Sequence, residues 1–296
     1  MKLTVIIVSH NTKKLLEDCL NSIYHNLPKE YEIIVVDNAS TDNSSNLVKT
    51  QFSQVKLIKN STNTGYAHAN NLGIKQARGE YLLLLNSDTL ASNQSFSVLI
   101  SWLDNHPKVG IASPKILNLD GTTQPNGGAI PTQSNIFTWM FFLNRLPLLP
   151  QIIPNYHAPA SYFNKTHPIG WVSGAALCLR RQCLEQIGLL DEKIFMYAED
   201  IDFCLRAYRS GWQIWTVSTC SVTHFGQGSG SKSKAILGEF QGLKYLFTKH
   251  YPKSHLYTLK KVLELGTLLR ILIFGTIFAN KQLKQTYEKA LTVARQ

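Results

Sequence analysis

A chain of 296 residues with 44% hydrophobic and 17% charged residues can bury a sizeable core, which excludes a disordered polypeptide and suits one large domain or one domain with an appendage. Its formal net charge of +11 is unevenly placed, because residues 232–296 hold 12 basic and 3 acidic residues against 18 and 16 in residues 1–231. A near-neutral body with a basic tail points to an anionic partner, but the tail lacks a dense Lys/Arg cluster interleaved with stacking residues, so no nucleic acid is expected.

Five cysteines, an odd number with no C-x-x-C pair, fit a reduced, cytosolic-type compartment better than a disulfide framework. The apolar run from Leu3 to Val8 is too short for a signal-peptide core and reads as a first strand. Ser9-His10-Asn11-Thr12 then supplies a turn and a helix cap, after which Leu15, Leu16, Cys19, Leu20 and Ile23 recur at helical spacing. Ile33 to Val36 is a second strand ending in Asp37-Asn38-Ala39-Ser40-Thr41-Asp42. A helix through Leu47 and Val48 leads to a short third strand, Val55 to Ile58. The stretch from Asn63 to Gly73 opens a helix that runs to Ala77, with Gly79 closing it.

Tyr81-Leu82-Leu83-Leu84-Leu85 follows as a strand and ends abruptly in Asn86-Ser87-Asp88-Thr89. An apolar run with no polar alternation is buried on both faces, as in parallel sheets packed between helices. The alternation of strand and helix predicts an α/β fold built on a doubly wound, mostly parallel sheet with right-handed crossovers.

Ligands of such sheets bind at the carboxyl ends of the strands. Asp88 stands there and suits a hard divalent cation that holds phosphate oxygens, although it equally suits the cap of a helix starting near Ser92. Asp37 with Asn38 suits the edge of a pyrimidine base, since a carboxylate accepts from a ring N–H, while Asp37, Ser40 and Asp42 also suit an Asx-turn and helix start. Gly65 lets backbone approach a ligand closely, with Asn63 and Asn70 as polar contacts.

From Ser113 to His167 the pattern loosens into a proline-punctuated stretch. Within it the block Ile136 to Leu143 reads as core packing before it reads as a helix beside an acceptor cleft or membrane. Order returns with a strand from Gly170 to Leu179, a helix ending at Gly188, and a helix whose first turn carries Glu199, Asp200 and Asp202. Asp202 can pair with Arg206 at i,i+4, which leaves Glu199 and Asp200 unexplained by helix stability, one of them partly buried and poised as a base. A strand from Trp212 to Val217 is followed by His224 and a Gly/Ser-rich loop, the composition expected where backbone amides cradle a diphosphate.

Taken together, these residues resemble the inverting family 2 glycosyltransferases, in particular the rhamnosyltransferase-like branch. The resemblance spans about residues 3–231. It rests on Val35 to Asp42, on Asn63-Thr64-Gly65-Tyr66-Ala67 with Asn70, Asn71 and Gly73, on Asn86-Ser87-Asp88, on Trp171 to Ala175, on Phe195 to Asp202, and on His224 with Gly226, Gly228 and Ser229. It implies a GT-A nucleotide-diphosphosugar transferase domain over residues 1–231 and a basic helical extension over 232–296. It further implies a divalent metal (Mg²⁺ or Mn²⁺) on Asp88 and His224, with Asp200 of the Glu199-Asp200 pair as catalytic base. The donor-binding set would be Ser9, Asp37, Asn38, Asn63, Gly65, Asn70, Asn86, Ser87, Trp171 and Gly174. Asn86 replaces the first acid of the family's D-x-D element, leaving one fewer charge to hold the metal. The branch makes dTDP-rhamnose the leading donor, ahead of a UDP-sugar, with a saccharide or lipid-linked acceptor in cell-surface polysaccharide synthesis. A nucleotidyltransferase of related fold and a non-catalytic nucleotide-sugar-binding protein are the alternatives.

In the tail, Val262 to Ala279 is apolar apart from Glu264 and Arg270. A spanning helix needs about 20 apolar residues, and a central Arg costs roughly 2.5 kcal/mol or more, so the segment is expected to lie on an anionic membrane surface rather than cross it, with a helix packed on the catalytic domain as the alternative. The expected location is cytoplasmic, peripheral at the inner face of the plasma membrane.

Overall fold

The computed structural model describes residues 1–24, 30–226 and 232–296. The chain divides into two compact units. The first runs from Met1 to Gly127, from Pro159 to Phe195, and from Glu199 through the strand that ends at His224; the second comprises Gly128–Ala158, Met196–Ala198 and the helices from Lys232 to the C-terminus.

In the first unit, strands β1 (Leu3–Ser9), β2 (Tyr31–Asn38), β3 (Lys56–Asn60) and β4 (Tyr81–Asn86) alternate with helices α1 (Lys13–Tyr24), α2 (Ser44–Gln51) and α3 (Gly65–Gln76). Then come β5 (Thr89–Ala91), α4 (Ser95–Asp104), β6 (Val109–Leu117) and the short strands β7 (Gly127–Gly128), β8 (His167–Pro168) and β9 (Trp171–Val172). The unit closes with β10 (Ala176–Arg180), α7 (Arg181–Ile187), α8 (Glu199–Arg209) and β11 (Gln213–His224), after α5 (Gln133–Met140) and α6 (Leu149–Ile152), which belong to the second unit.

The sheet runs β3-β2-β1-β4-β10-β6-β11-β5. β2 and β4 flank β1 in parallel, so the apolar runs of β1 and β4 sit at the centre and are buried along nearly their whole length. Each buried Leu or Ile there contributes about 1.5 to 3 kcal/mol, which explains why the strands tolerate no polar alternation. Beyond β4 the sheet becomes mixed, with β10 antiparallel to both β4 and β6. The expected strand over 170–179 is therefore two strands broken at residues 173–175, and β6 emerges in a region where prolines hid it. All five cysteines are buried thiols.

The second unit packs α5, α9 (Lys232–His250), α10 (Lys253–Leu272) and α11 (Lys281–Arg295). Ile136 and Met140 of the aromatic block are fully buried, as core packing requires. Arg270, placed by the sequence in the middle of an apolar run, is 6% exposed. Its guanidinium donates to Trp139 O at 2.7 Å, Met140 O at 3.3 Å and the Tyr287 hydroxyl at 2.9 Å, and the Trp139, Phe142 and Tyr287 rings surround it. Within the segment 262–279, Leu263, Gly266, Thr267 and Arg270 form the packed face of α10, and Arg270 satisfies the last carbonyls of α5. Among the described residues no helix is long and apolar enough to cross a membrane.

Candidate active site

The end of β4 is turned back on itself. After Asn86 the chain re-enters the sheet as β5, antiparallel to β11, with Thr89 opposite His224. Phe225 N donates to Asp88 O at 2.9 Å, closing this corner. Asp88 Oδ1 consequently lies 3.3 Å from His224 Nε2, and the carboxylate is 3% exposed. Asn86 Nδ2 lies 3.3 Å from the same ring nitrogen. Asp88 does not cap a helix, because a strand follows it and α4 begins only at Ser95.

A carboxylate oxygen and an imidazole nitrogen converging in a buried corner are a donor set that suits Mn²⁺ better than Mg²⁺, which prefers oxygen alone. Among the described residues no group of three or more His, Cys, Asp or Glu gathers to hold a metal. Two protein donors suit a cation whose other positions are filled by phosphate oxygens and water. Of the Gly/Ser-rich loop, Gly226 is described with φ 65°, and Gly228 and Ser229 lie outside the described residues.

The sequence gives no hint of the group on the far side of His224. Gln124 Oε1 lies 2.7 Å from Nδ1, so the imidazole is held at both nitrogens. Gln124 sits in the stretch where periodicity is lost, and no motif marks it.

The three acids of α8 separate by environment. Asp202 is fully buried and pairs with Arg206 Nε at 2.8 Å, as the i,i+4 spacing predicts. Glu199 is 5% exposed, while Asp200 is more open. Asp200 Oδ1 accepts from Ile201 N at 2.8 Å and Oδ2 from Gly174 N at 3.1 Å, so two backbone donors aim this carboxylate. The chain enters the helix through two left-handed residues, Tyr197 (φ 71°) and Ala198 (φ 81°), a conformation costly for side chains other than glycine.

Tyr66 ties the acids together. Its hydroxyl donates to Gly174 O at 2.7 Å, and its phenol is held well above the ordinary range, first by burial and then by the charges of Glu199, Asp200 and Asp88.

Several expected donor contacts turn inward. Asp37 accepts from Ser40 N at 3.2 Å and from the Ser45 hydroxyl, the turn-and-helix-start arrangement that the sequence also allowed. Asn38 is a hub: it donates to Asn63 Oδ1 at 3.0 Å and Gly65 O at 3.2 Å and accepts from Asn60 and Thr64. Ser9, Thr12 and Ser87 form a buried hydroxyl chain with 2.9 Å links. Asn70 donates to Tyr66 O at 3.0 Å, and Trp171 is 6% exposed. Gly65 admits the Phe195 backbone: with φ 83°, an added Cβ would stand 2.5 Å from Phe195 O.

Residues 4–167 match the family described as Glycosyl transferase family 2. The chain is 27% identical over 236 residues to N-acetylglucosaminyl-diphospho-decaprenol L-rhamnosyltransferase of Mycobacterium tuberculosis, covering 75% of each protein. It is also 27% identical to the low-salt glycan biosynthesis hexosyltransferase Agl10 of Haloferax volcanii, over 75% of this chain and 66% of that protein. Among solved structures, a Pyrobaculum calidifontis mannosyltransferase in complex with GDP-Man and Mn²⁺ superposes with TM-score 0.60 at 19% identity, covering 99% of this chain and 85% of that one. GalNAc-T7 with UDP, GalNAc and Mn²⁺ superposes with TM-score 0.63 at 15% identity, over 98% and 54%. At these identities the two structures speak for the fold.

Proposed function

Because the chain belongs to the family 2 glycosyltransferases, we propose that it is an inverting enzyme that moves rhamnose from dTDP-rhamnose onto a saccharide or lipid-linked acceptor, with a divalent cation held by Asp88 and His224. The family assignment carries sugar transfer from a nucleotide donor; the sugar, the metal and the acceptor go beyond it. The observation that supports it best is the buried corner at the end of β4, where Asp88 Oδ1 lies 3.3 Å from His224 Nε2.

The chemistry follows from where charge develops. The acceptor oxygen bonds to the anomeric carbon from the face opposite the nucleotide, and the C–O bond to the diphosphate breaks in the same displacement. Asp200, aimed by the Gly174 and Ile201 amides, takes the acceptor's proton. The bond's electrons leave on the diphosphate, beside Asp88 and His224. A cation bound there supplies electrostatic stabilisation of the leaving group. One displacement inverts the anomeric configuration.

The cleanest test offers the purified chain a panel of nucleotide sugars with Mg²⁺ or Mn²⁺ and reads product formation. Turnover with dTDP-rhamnose supports the reading in full, and turnover only with another donor corrects the sugar. Donor binding without turnover on any acceptor or water would favour a non-catalytic binder. A nucleotidyltransferase is disfavoured because Ser9-His10-Asn11-Thr12-Lys13 after β1 lacks the glycines of a triphosphate loop.

The name of the mycobacterial relative points to a lipid-diphosphate-linked acceptor for that protein. We read the second unit as its counterpart here, a surface that meets an anionic membrane at its cytoplasmic face. Leu265, Leu268 and Leu272 on α10, with Ile277 and Phe278 beyond it, are 41 to 72% exposed, and Lys281, Lys284 and Lys289 follow. Apolar side chains bordered by lysines suit lipid headgroups at the interface.

A further inference from the structure

Five side chains of the first unit form one hydrogen-bonded line from the surface to the imidazole at the site. Asp120 Oδ1 accepts from the Thr122 hydroxyl at 2.6 Å. Thr122 Oγ1 accepts from Asn118 Nδ2 at 2.9 Å, and Asn118 Oδ1 accepts from Gln124 Nε2 at 2.9 Å. Gln124 Oε1 then lies 2.7 Å from His224 Nδ1. The backbone that carries the line is itself tied, by Asn118 N to Thr122 O at 2.8 Å and by Gln124 N to Ile116 O at 2.9 Å.

Each link fixes the direction of the next. An ionised carboxylate only accepts, so the Thr122 hydroxyl points its hydrogen at Asp120 and leaves its lone pairs to the Asn118 amide. That places the Asn118 oxygen toward Gln124, whose amide nitrogen must answer it, and Gln124 Oε1 is left facing the imidazole. An amide oxygen has no hydrogen to give, so in the neutral ring the hydrogen sits on Nδ1. The lone pair then sits on Nε2, where Asn86 Nδ2 can donate into it and Asp88 Oδ1 stands 3.3 Å away. The other tautomer would aim an N–H at the Asp88 carboxylate, an attractive contact that closes the position a cation needs.

We propose that Gln124, oriented through Asn118 and Thr122 from Asp120, is a positioning residue that holds His224 in its Nδ1–H form and so keeps the Asp88–His224 pair open to a divalent cation. The tautomer stands on the hydrogen-bonded line alone; its use for a cation rests on the proposed function. The arrangement extends to several links the usual device in which an outer acceptor sets the tautomer of a metal-facing histidine.

The test uses the full chain with ¹⁵N-labelled histidine, free of metal and at mildly alkaline pH, with His224→Gln to assign the ring. Two-dimensional imidazole NMR reads which nitrogen carries hydrogen. The expected result is Nδ1–H in the wild type and in Gln124→Glu, which keeps an acceptor, and Nε2–H in Gln124→Met, which removes it. Mn²⁺ titrated in the presence of UDP should bind Gln124→Met roughly 10-fold to 100-fold more weakly, with Gln124→Glu within a few-fold of wild type. A wild-type ring protonated at Nε2, or a Gln124→Met ring unchanged from wild type, overturns the proposal. If the tautomer moves as expected but the wild type binds no Mn²⁺, the positioning role stands and the cation reading is the part that fails.

Discussion

Gly174 N donates to Asp200 Oδ2 across 3.1 Å, so the glycine beside the break between β9 and β10 aims the proposed base. The same residue lies beneath Tyr66, whose hydroxyl oxygen would be 2.7 Å from any Cβ placed at position 174. Gly174→Ala must therefore move either the ring or the amide that holds Asp200. The expected result is a kcat lowered roughly 10-fold to 100-fold, the scale of a small misplacement, with the donor KM changed little. Adding Tyr66→Phe removes the colliding oxygen and should recover part of the loss. Steady-state kinetics that show full activity in Gly174→Ala would remove the glycine from the positioning of Asp200.

Asp200→Asn keeps the shape and one of the two amide contacts, since its Nδ2 cannot accept from a backbone N–H, but not the basicity. Its kcat should fall by roughly 10² or more while nucleotide affinity stays within a few-fold. An unchanged kcat would transfer the role to Glu199, the neighbouring acid that the fold buries more deeply.

Asp88→Ala removes the carboxylate that lies 3.3 Å from His224 Nε2. Wild-type protein should gain thermal stability from dTDP or UDP only when Mg²⁺ or Mn²⁺ is present, by ligand linkage, and the variant should lose that gain. Its melting temperature without ligand should stay near that of the wild type. Turnover that survives both the substitution and chelation would end the metal reading.

How much of this was legible in the sequence depends on where the information lies. β1 and β4 could be read because a strand buried on both faces has to be apolar throughout, a local property. Asp88, Asp200 and His224 stood out because they fall at strand and helix ends, where ligands of such sheets bind, although caps and turns use acids there too. Asn38 and Gly65 carry close contacts that the sequence did not show, with the chain's own 60–65 segment and with Phe195. Gln124 was silent, since its role comes from a turn that folds residues 118–124 onto β6 and from the pairing of β11 with β6. β6 was hidden for a related reason, with Pro114 inside it on a sheet where prolines are rare.

Arg270 offers a test of the second unit that does not depend on any activity. It satisfies the Trp139 and Met140 carbonyls from within a ring of three aromatic side chains. Arg270→Ala leaves those acceptors and the Tyr287 hydroxyl short of a buried donor, so urea unfolding should report a loss of about 2 to 4 kcal/mol. Arg270→Lys keeps the charge without the planar fork and should recover less than half. A near-neutral Arg270→Ala would mean that water replaces the guanidinium.

The packing of the second unit also decides how membrane binding should be tested. Deleting α10 and α11 would uncover Leu243, Leu246 and Phe247 of α9, which are fully buried, so a shortened chain could bind lipid merely by exposing its core. Point changes on the exposed face avoid this. Leu272 is 59% exposed and Phe278 65% exposed, so Leu272→Ser with Phe278→Ser should leave folding intact. If these side chains enter the headgroup region, losing them weakens binding in proportion to the apolar area they bury, at about 25 cal/mol per Å². Lys281→Glu with Lys289→Glu should weaken binding too, by about 1 kcal/mol for each lysine removed, and only at low salt. Flotation with vesicles containing anionic lipid, compared with neutral vesicles, measures all of these. The expected order is wild type above either pair of variants on anionic vesicles, with little binding of any protein to neutral ones. Equal flotation of wild type and both pairs, or none for the wild type at low salt, would place the lipid-linked acceptor's contact elsewhere on the enzyme.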